Sequence, residues 1–293
     1  MAQELQVVKY DLAYSSEVLQ SLQEELGTDA ALPYDIITFP TAGGTAFEIP
    51  TEDGETEPVK SIEGVIIFAH DIKVFYEKPL DGKGTPPDCS SMDGKKGVET
   101  ATGVCKDCST CPYNVFGSGK NGGKACKAKK RIYFLPSGAL LPVIITVPVM
   151  SCKDYNSYIA KQIVLRRLRS YEVVTRVSLK SEMSNSGFKY SKGVFKKIGK
   201  LAPELIPQAK QLHDEMAKTY MDYAITSADA VSGEAAAAPT ETPEKSDTET
   251  PEKGDTAADI ADKLWQDNTI KKDQEFYKKL GVGMDFSEDV LPE

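Results

Sequence analysis

Five of the six cysteines of this 293-residue chain lie within one polar stretch. Three of them form the pattern C-x2-C-x2-C (Cys105, Cys108 and Cys111), and Cys89 and Cys126 flank that pattern. A C-x2-C turn places two thiolates on one side of a small cation, and two more cysteines complete the tetrahedral shell that Zn²⁺ prefers. The spacing therefore predicts a zinc site.

The residue types leave the choice of four ligands open by one. We favour the set that omits Cys105, because Pro112 gives the second knuckle a turn-forming exit, and we keep Cys105 as the substitute. The favoured ligands are Cys89, Cys108, Cys111 and Cys126. An iron–sulfur cluster is the alternative occupant. No HExxH or HxE pair accompanies the cysteines, and no P-loop, GxSxG or GxGxxG motif occurs, so the metal is predicted to be structural and the protein not to be an enzyme.

Basic and aromatic residues are interleaved along the segments around and after the cysteines. No acidic residue occurs from Cys108 to Lys153, and the stretch from Lys161 to Lys200 has eleven basic residues against two acidic ones. Capture of a single strand without sequence preference requires cations along the phosphate track and flat rings for the bases. The predicted nucleic-acid contacts are Lys129, Lys130, Arg131, Tyr133, Arg166, Arg167, Arg176, Lys189, Tyr190, Lys192 and Lys196.

The elements that must position these residues are mostly strands. β-branched and aromatic segments bounded by Gly or Pro predict strands at 34–39, 63–77, 131–136 and 140–150. Alternation at 172–180 and 188–197, around the turn SNSG, predicts a hairpin. One helix is predicted after Ser151 and another over Pro203–Tyr223. Because strands and helices do not alternate, this order favours a mainly β protein with a small closed β-barrel, interrupted by a zinc-binding insertion at about 79–130.

The acidic character of the chain, a net charge of −9, is confined to its C-terminal part. Residues 224–293 contain 17 Asp and Glu against 7 Lys, so residues 1–223 are close to neutral. The near-repeat TPEKSDTE and TPEKGDTA has no large apolar residue, which is typical of a linker. The predicted organisation is a nucleic-acid-binding domain at 1–225, a disordered linker at 226–256, and short helices with an acidic tail at 257–293.

Several motifs resemble those of a known family. They are the DC…DG segment at 88–94, the CxxCPxNxFGS knuckle at 108–118, the GKACK segment at 123–127 and a P…S…Y segment after the next strands. Together they resemble phage-encoded single-stranded DNA-binding proteins, built on a barrel of the oligonucleotide-binding (OB) type with a zinc-bearing insertion. The resemblance covers about residues 35–200. It implies the four favoured cysteines as zinc ligands, single-stranded DNA as the partner, and a role in DNA replication or recombination in the host cytoplasm. The extra Cys105 departs from the pattern.

The last ten residues, MDFSEDVLPE, are similar to the acidic, apolar-tipped tails of bacterial single-stranded DNA-binding proteins, although they end in Pro-Glu rather than Pro-Phe. The similarity implies that the tail recruits replication and recombination proteins. We expect the tail to compete with DNA for the basic surface. The predicted partner-binding residues are Met284, Asp285, Phe286, Glu288 and Asp289.

The chain is expected to be soluble and cytoplasmic, with no membrane partner. Its longest apolar run, 138–150, contains two prolines and is too short to cross a bilayer, and its first residues lack a signal-peptide pattern. The oligomeric state stays open. Two other functions remain as alternatives: an RNA-binding or transcription-modulating module, and an assembly or scaffold protein that binds no nucleic acid.

Overall fold

A computed structural model of the protein describes residues 6–13, 16–27, 34–51, 53–78, 86–119, 122–184 and 187–232. The predicted linker beyond Ser232 and the predicted helices and tail at 257–293 lie outside the described residues. The five predicted partner-binding residues (Met284, Asp285, Phe286, Glu288 and Asp289) lie outside them as well. The fold and the sites below therefore concern the N-terminal part of the chain.

The described structure is mainly β, as predicted, with a large mixed sheet of nine strands, a separate hairpin and four α-helices. The strands are β1 (Ile36–Thr38), β2 (Phe47–Pro50), β3 (Thr56–Val59), β4 (Ser61–Phe75), β5 (Cys89–Ser91), β6 (Lys96–Glu99), β7 (Cys105–Asp107), β8 (Lys127–Pro136), β9 (Val143–Val147), β10 (Val173–Met183) and β11 (Lys189–Lys200). The helices are α1 (Ser16–Leu26), α2 (Val149–Tyr158), α3 (Ile206–Thr219) and α4 (Ser227–Val231).

The fifteen-residue strand β4 organises the sheet. It pairs with β8 along one edge, and on its other edge it pairs with β10 near its start and with β5 near its end. The strand order is β1-β9-β8-β4-β5-β6-β7, and the hairpin of β10 and β11 branches from β4. In the part of the sheet that the structure describes, only β1 and β9 pair in parallel. Among the described strands, β1 and β11 do not pair with each other, so the sheet stays open. The predicted closed barrel is therefore wrong.

Both faces of the sheet are covered here, which explains why the second half of β8 and all of β9 are largely apolar runs rather than alternating ones. One face, with Ile132 and Phe134, packs against Tyr155 and Tyr158 of α2. The opposite face packs against α3 through Leu212 and Met216. Its buried strand residues are Val65, Ile67, Tyr133, Leu135, Ile144 and Val174. From Arg131 to Leu135, a side chain on β8 is therefore buried whichever face it points to.

The body continues past residue 225, where the sequence placed the boundary of the domain. Helix α4 lies at Ser227–Val231, and both Asp229 and Ser232 are 0% exposed. The Ser232 hydroxyl accepts a hydrogen bond from the Phe39 amide at 2.9 Å and donates one to the Thr146 carbonyl at 2.5 Å. Residues 226–232 therefore belong to the body and not to a linker.

The predicted insertion at 79–130 extends the large sheet where residues of it are described. Strands β5, β6 and β7 continue the sheet from the end of β4, and β8 already begins at Lys127. No helix in the described ranges combines the length and the apolar character that a bilayer crossing requires.

Candidate metal centre and nucleic-acid interface

Four of the five clustered cysteines line one cavity of about 420 Å³ at the end of the sheet. Cys89 opens β5 and pairs in register with Phe75 at the end of β4. The other three cysteines that line the cavity are Cys108, Cys111 and Cys126. Cys105, at the start of β7, is exposed and does not line the cavity. The structure thus groups the four cysteines that the sequence favours and separates the fifth.

Gly97, in β6, leaves the space in which two of these thiols converge. A Cβ atom built at Gly97 would lie 3.0 Å from the Cys89 sulfur and 3.5 Å from the Cys108 sulfur. A separation of 3.0 Å is tighter than most real Cβ atoms show, so the strand accommodates the Cys89 sulfur because this residue has no side chain. The residues present fit a soft cation such as Zn²⁺, which prefers thiolate ligands.

The electrostatics of the cavity oppose charge on the thiols when no cation is present. Burial, and then the neighbouring Cys108 and Cys111, raise the pKa of Cys126 to about 11, and the same causes raise the pKa of Cys89. A divalent cation would reverse this, because the thiolate is the form that coordinates. As the side chains stand, no group of three or more Cys, His, Asp or Glu in the described residues could hold a metal ion. The thiols line a cavity without forming a closed shell.

Three predicted nucleic-acid contacts lie in the interior instead. Lys129, Arg131 and Tyr133 alternate along β8, so they share one face of the sheet, and they are 1%, 0% and 0% exposed. That face is covered by α3 and by the segment around α4. In this conformation these three side chains are inaccessible to a nucleic acid. Their prediction as nucleic-acid contacts is therefore wrong.

The buried cations are satisfied by the C-terminal segment of the body. Arg131 forms an ion pair with Asp229 and donates to the carbonyl of Ala224 at 3.0 Å. Lys129 donates to the carbonyl oxygens of Asp229 and Ser232, each at 3.1 Å. Burial alone would raise the pKa of Asp229, but the charge of Arg131 and its hydrogen bonds hold this pKa below its usual range.

Four further predicted contacts are already engaged. Tyr190 is 8% exposed, and its hydroxyl donates to Glu182 at 2.9 Å. Three cations form salt bridges to acidic residues that the sequence alone did not connect with them. These are Lys130 with Asp71 (2.7 Å), Arg176 with Glu63 (2.5 Å), and Lys192 with Glu182 (3.1 Å) and Asp154 (3.4 Å). Partly exposed pairs of this kind are weak, so these side chains are engaged but not permanently withdrawn.

The remaining four predicted contacts are exposed and form no salt bridge within the described ranges. They are Arg166, Arg167, Lys189 and Lys196. The two arginines lie where the helical segment after α2 becomes irregular. A π-helical turn at Ile159–Ile163 is followed by a 3₁₀ turn at Val164–Arg166, and Arg167 ends the segment with a φ of 57°. This positive φ turns the chain sharply and leaves both guanidinium groups in solvent.

Arg166 lies close to cations of β11. Burial first, and then the charges of Arg166 and Lys200, lower the pKa of Lys197. The Lys197 ammonium donates to the Gln162 carbonyl at 2.9 Å, which fixes it beside the turn. We call this surface the cation patch; it consists of Arg166, Lys197 and Lys200. The run of basic residues from 161 to 200 indicated such a surface, but it did not single out Lys197 and Lys200.

Asp229 is the structurally important residue that sequence reasoning missed. It is buried against Arg131, and together with Thr226 it forms a capping box at the start of α4. The pattern T-x-x-D at 226–229 was a local signal for a helix start at this position. A boundary drawn at residue 225 separates this pattern from the body that it belongs to.

No family model, curated protein or solved structure matches this chain. Its function is therefore proposed from the residues and the geometry given above.

Proposed function

We propose that this protein is a single-stranded DNA-binding protein without catalytic activity, largely indifferent to sequence, which serves DNA replication or recombination. The observation that carries the proposal is the cation patch. Arg166 and Lys200 lie close enough to Lys197 that their charges add to the effect of burial in lowering the pKa of Lys197. Positive charges held together in this way disfavour one another, and a polyanion relieves their repulsion and releases its own counterions.

Apolar side chains beside the patch favour a single strand over a duplex. Val164 and Leu165 are 58% and 74% exposed, and they lie in the same turn as Arg166. A duplex keeps its bases stacked inside and presents phosphates, whereas a single strand offers bases as well as phosphates. A surface that combines free guanidinium groups with exposed apolar side chains matches the second kind of ligand.

The sheet is compatible with an open variant of the oligonucleotide-binding barrel, which we include in the proposal. Folds of this type are partly open antiparallel barrels. Strand β4 is shared between β8 and β10, and its pairing with β8 is irregular between Ile66 and Phe68. Irregularities of this kind bend a strand and allow one sheet to curve. In this interpretation, β5–β7 and the cysteine loop are the insertion.

A structural Zn²⁺ held by Cys89, Cys108, Cys111 and Cys126 is part of the same proposal. Zinc bound there would supply folding free energy to a region of short strands. Strand β7 is exposed at all three of its positions, and Val98 of β6 is 45% exposed, so little apolar burial holds this region. The cavity that the four thiols share, and the space at Gly97, support this assignment.

The acidic tail completes the proposal. The near-neutral charge of residues 1–223 and the excess of acid after them allow the tail to compete with DNA for the cation patch. Displacement of the tail by DNA would then free it to recruit replication or recombination proteins, as the similarity to the tails of bacterial single-stranded DNA-binding proteins implies.

Fluorescence anisotropy with labelled oligo-dT, a matched duplex and oligo-U, at two salt concentrations, tests the proposal. We expect tight, salt-sensitive binding to oligo-dT and much weaker binding to the duplex. The double variant R166Q/K197Q should weaken binding and make the salt dependence shallower, by about 0.7 in the logarithmic slope for each phosphate that is no longer neutralised. The matched control is K210Q, which removes an exposed lysine on α3 that pairs with Asp214.

Three results would replace the proposal. Preference for oligo-U over oligo-dT would select an RNA-binding module, because the 2′-hydroxyl is then read. Absence of binding to all three ligands, in protein that contains its zinc, would select an assembly or scaffold protein. Equal effects of R166Q/K197Q and K210Q would show that the cation patch is not the binding surface.

A further inference from the structure

We infer that Phe116, in the cysteine loop, is a stacking platform for an unpaired base, and that Lys124 beside it contacts the adjoining phosphate. This inference rests on the proposed function and adds a second point of contact to it, separate from the cation patch. Neither residue is among the contacts that the sequence analysis selects.

Phe116 presents its ring to solvent. It is 78% exposed, more than any other large apolar side chain in the described ranges. Its neighbour Val115 is 57% exposed. Single exposed apolar residues are ordinary, so the ligand is indicated by the setting of this ring, namely its loop and the cation beside it.

The loop that carries this ring is held by hydrogen bonds across its base, so the exposure does not result from a loosely attached loop. The Gly117 amide donates to the carbonyl of Gly122 at 3.0 Å, and the Cys126 amide donates to the carbonyl of Tyr113 at 2.9 Å. The Ser118 hydroxyl accepts from the amide of Ala125 at 3.0 Å. Gly117 has a φ of 90°, a conformation that a side chain would disfavour. A loop that is already held in place loses little entropy when its exposed ring binds a ligand.

The nearest aromatic neighbour in the loop is already engaged. Tyr113 stacks on Phe75 of β4, with ring centroids 4.0 Å apart and an interplanar angle of 19°. That contact attaches the loop to the sheet. Phe116 has no ring partner in the described residues, so it is the ring that remains available for an incoming base.

The charge around the ring identifies the occupant. The Lys124 ammonium lies 4.9 Å from the Phe116 ring centroid and is oriented by a hydrogen bond to Asn114 Oδ1 at 3.2 Å. No acidic residue occurs from Cys108 to Lys153. A flat ring with a cation at its face fits a ligand that alternates flat rings with negative charges, which describes a single nucleic-acid strand.

The test compares oligo-dT affinity for F116A, F116W and the control V115A, which shortens the neighbouring side chain, 57% exposed. Because stacking of one base changes affinity about 5- to 150-fold, F116A should raise the Kd by an amount in this range. F116W should retain wild-type affinity. V115A should change the Kd by less than about threefold. In a W265F background, emission of the tryptophan in F116W should be quenched when oligo-dT binds.

Several outcomes would overturn the inference. Unchanged affinity of F116A, with a wild type that binds oligo-dT, would reject Phe116 as a platform and leave the proposed function intact. Loss of affinity for a peptide of residues 284–293, with affinity for oligo-dT retained, would make the ring a protein-docking residue instead. Failure of the wild type to bind oligo-dT would reject the proposed function itself. Equal thermal stability of wild type and F116A verifies that folding is not the cause of a loss.

Discussion

Arg131 and Asp229 form an ion pair in the interior of the protein, with side chains 1% and 0% exposed. The pair joins β8 to α4 across a separation of 98 residues. Asp229 also accepts hydrogen bonds from the Thr226 amide at 2.9 Å and from the Thr146 hydroxyl. These additional hydrogen bonds satisfy the carboxylate of Asp229. The buried ion pair therefore attaches α4, the last described element, to the sheet.

Removal of the carboxylate should destabilise the protein strongly. In D229N the Arg131 charge stays buried without its counter-charge, and we expect a loss of about 3–5 kcal/mol in the free energy of unfolding. Urea denaturation followed by circular dichroism measures it. The control D214N removes an exposed partner of Lys210 and should cost less than about 1 kcal/mol. A loss below about 1 kcal/mol in D229N as well would show that the pair contributes little.

The same pair should make stability depend on pH. Because the pKa of Asp229 is lower in the folded protein than its usual value, its contribution is fully present above the pKa of the unfolded chain. The contribution is lost as the pH falls through the folded pKa. The difference in unfolding free energy between wild type and D229N should therefore be constant near neutral pH and shrink below about pH 4. A difference that stays constant down to the lowest pH at which the protein folds would contradict this.

Zinc content should separate Cys105 from the other four clustered cysteines. We expect one zinc per chain in the wild type and in C105S, because Cys105 is exposed and does not line the cavity. C108S should lose the metal, because it removes a thiol from the cavity. Metal analysis of the purified proteins, supported by the visible spectrum of the cobalt-substituted form, measures this. Loss of metal from C105S would assign the ligands differently, and an iron–sulfur absorbance would replace zinc.

Substitution of Gly97 should weaken metal binding without removing a ligand. In G97A the new Cβ would lie 3.0 Å from the Cys89 sulfur, so that thiol must shift. Displacement of a ligand by its surroundings lowers metal affinity by about 10- to 100-fold. Competition with a chromogenic chelator measures the affinity, and V98A, at the next and 45% exposed position, is the control. Equal affinities of G97A and wild type would mean that the thiols do not converge at this strand when the metal binds.

Two truncations should behave differently. A chain ending at Gly233 keeps Asp229 and Ser232, so it should fold, and it should bind oligo-dT more tightly because the acidic tail no longer competes. A chain ending at residue 225 leaves Lys129 and Arg131 buried without these partners, and its unfolding midpoint should fall. Anisotropy titration and thermal denaturation measure the two effects. Weaker binding by the longer truncation would reject competition by the tail.

Much of the local architecture was predictable from the sequence. The runs of β-branched and aromatic residues predicted β8, β9 and the hairpin of β10 and β11, because strand formation depends on local pattern and turn residues. The spacing of the cysteines and the position of Pro112 favoured the same four thiols that share the cavity. The closed barrel did not follow from such patterns, since closure depends on how the distant edge strands β1 and β11 meet.

Whether each basic side chain is buried or exposed could be decided only by the tertiary structure. Lys129 and Arg166 both lie in basic, aromatic-containing segments, yet one is buried and the other is free. Alternation along β8 indicated that Lys129, Arg131 and Tyr133 share a face, but not that α3 and α4 cover it. A charge is buried or exposed according to partners that are remote in sequence, such as Asp229 for Arg131. The sequence by itself thus determined most of the long strands, which depend on local pattern, whereas long-range packing determined which cations reach the surface.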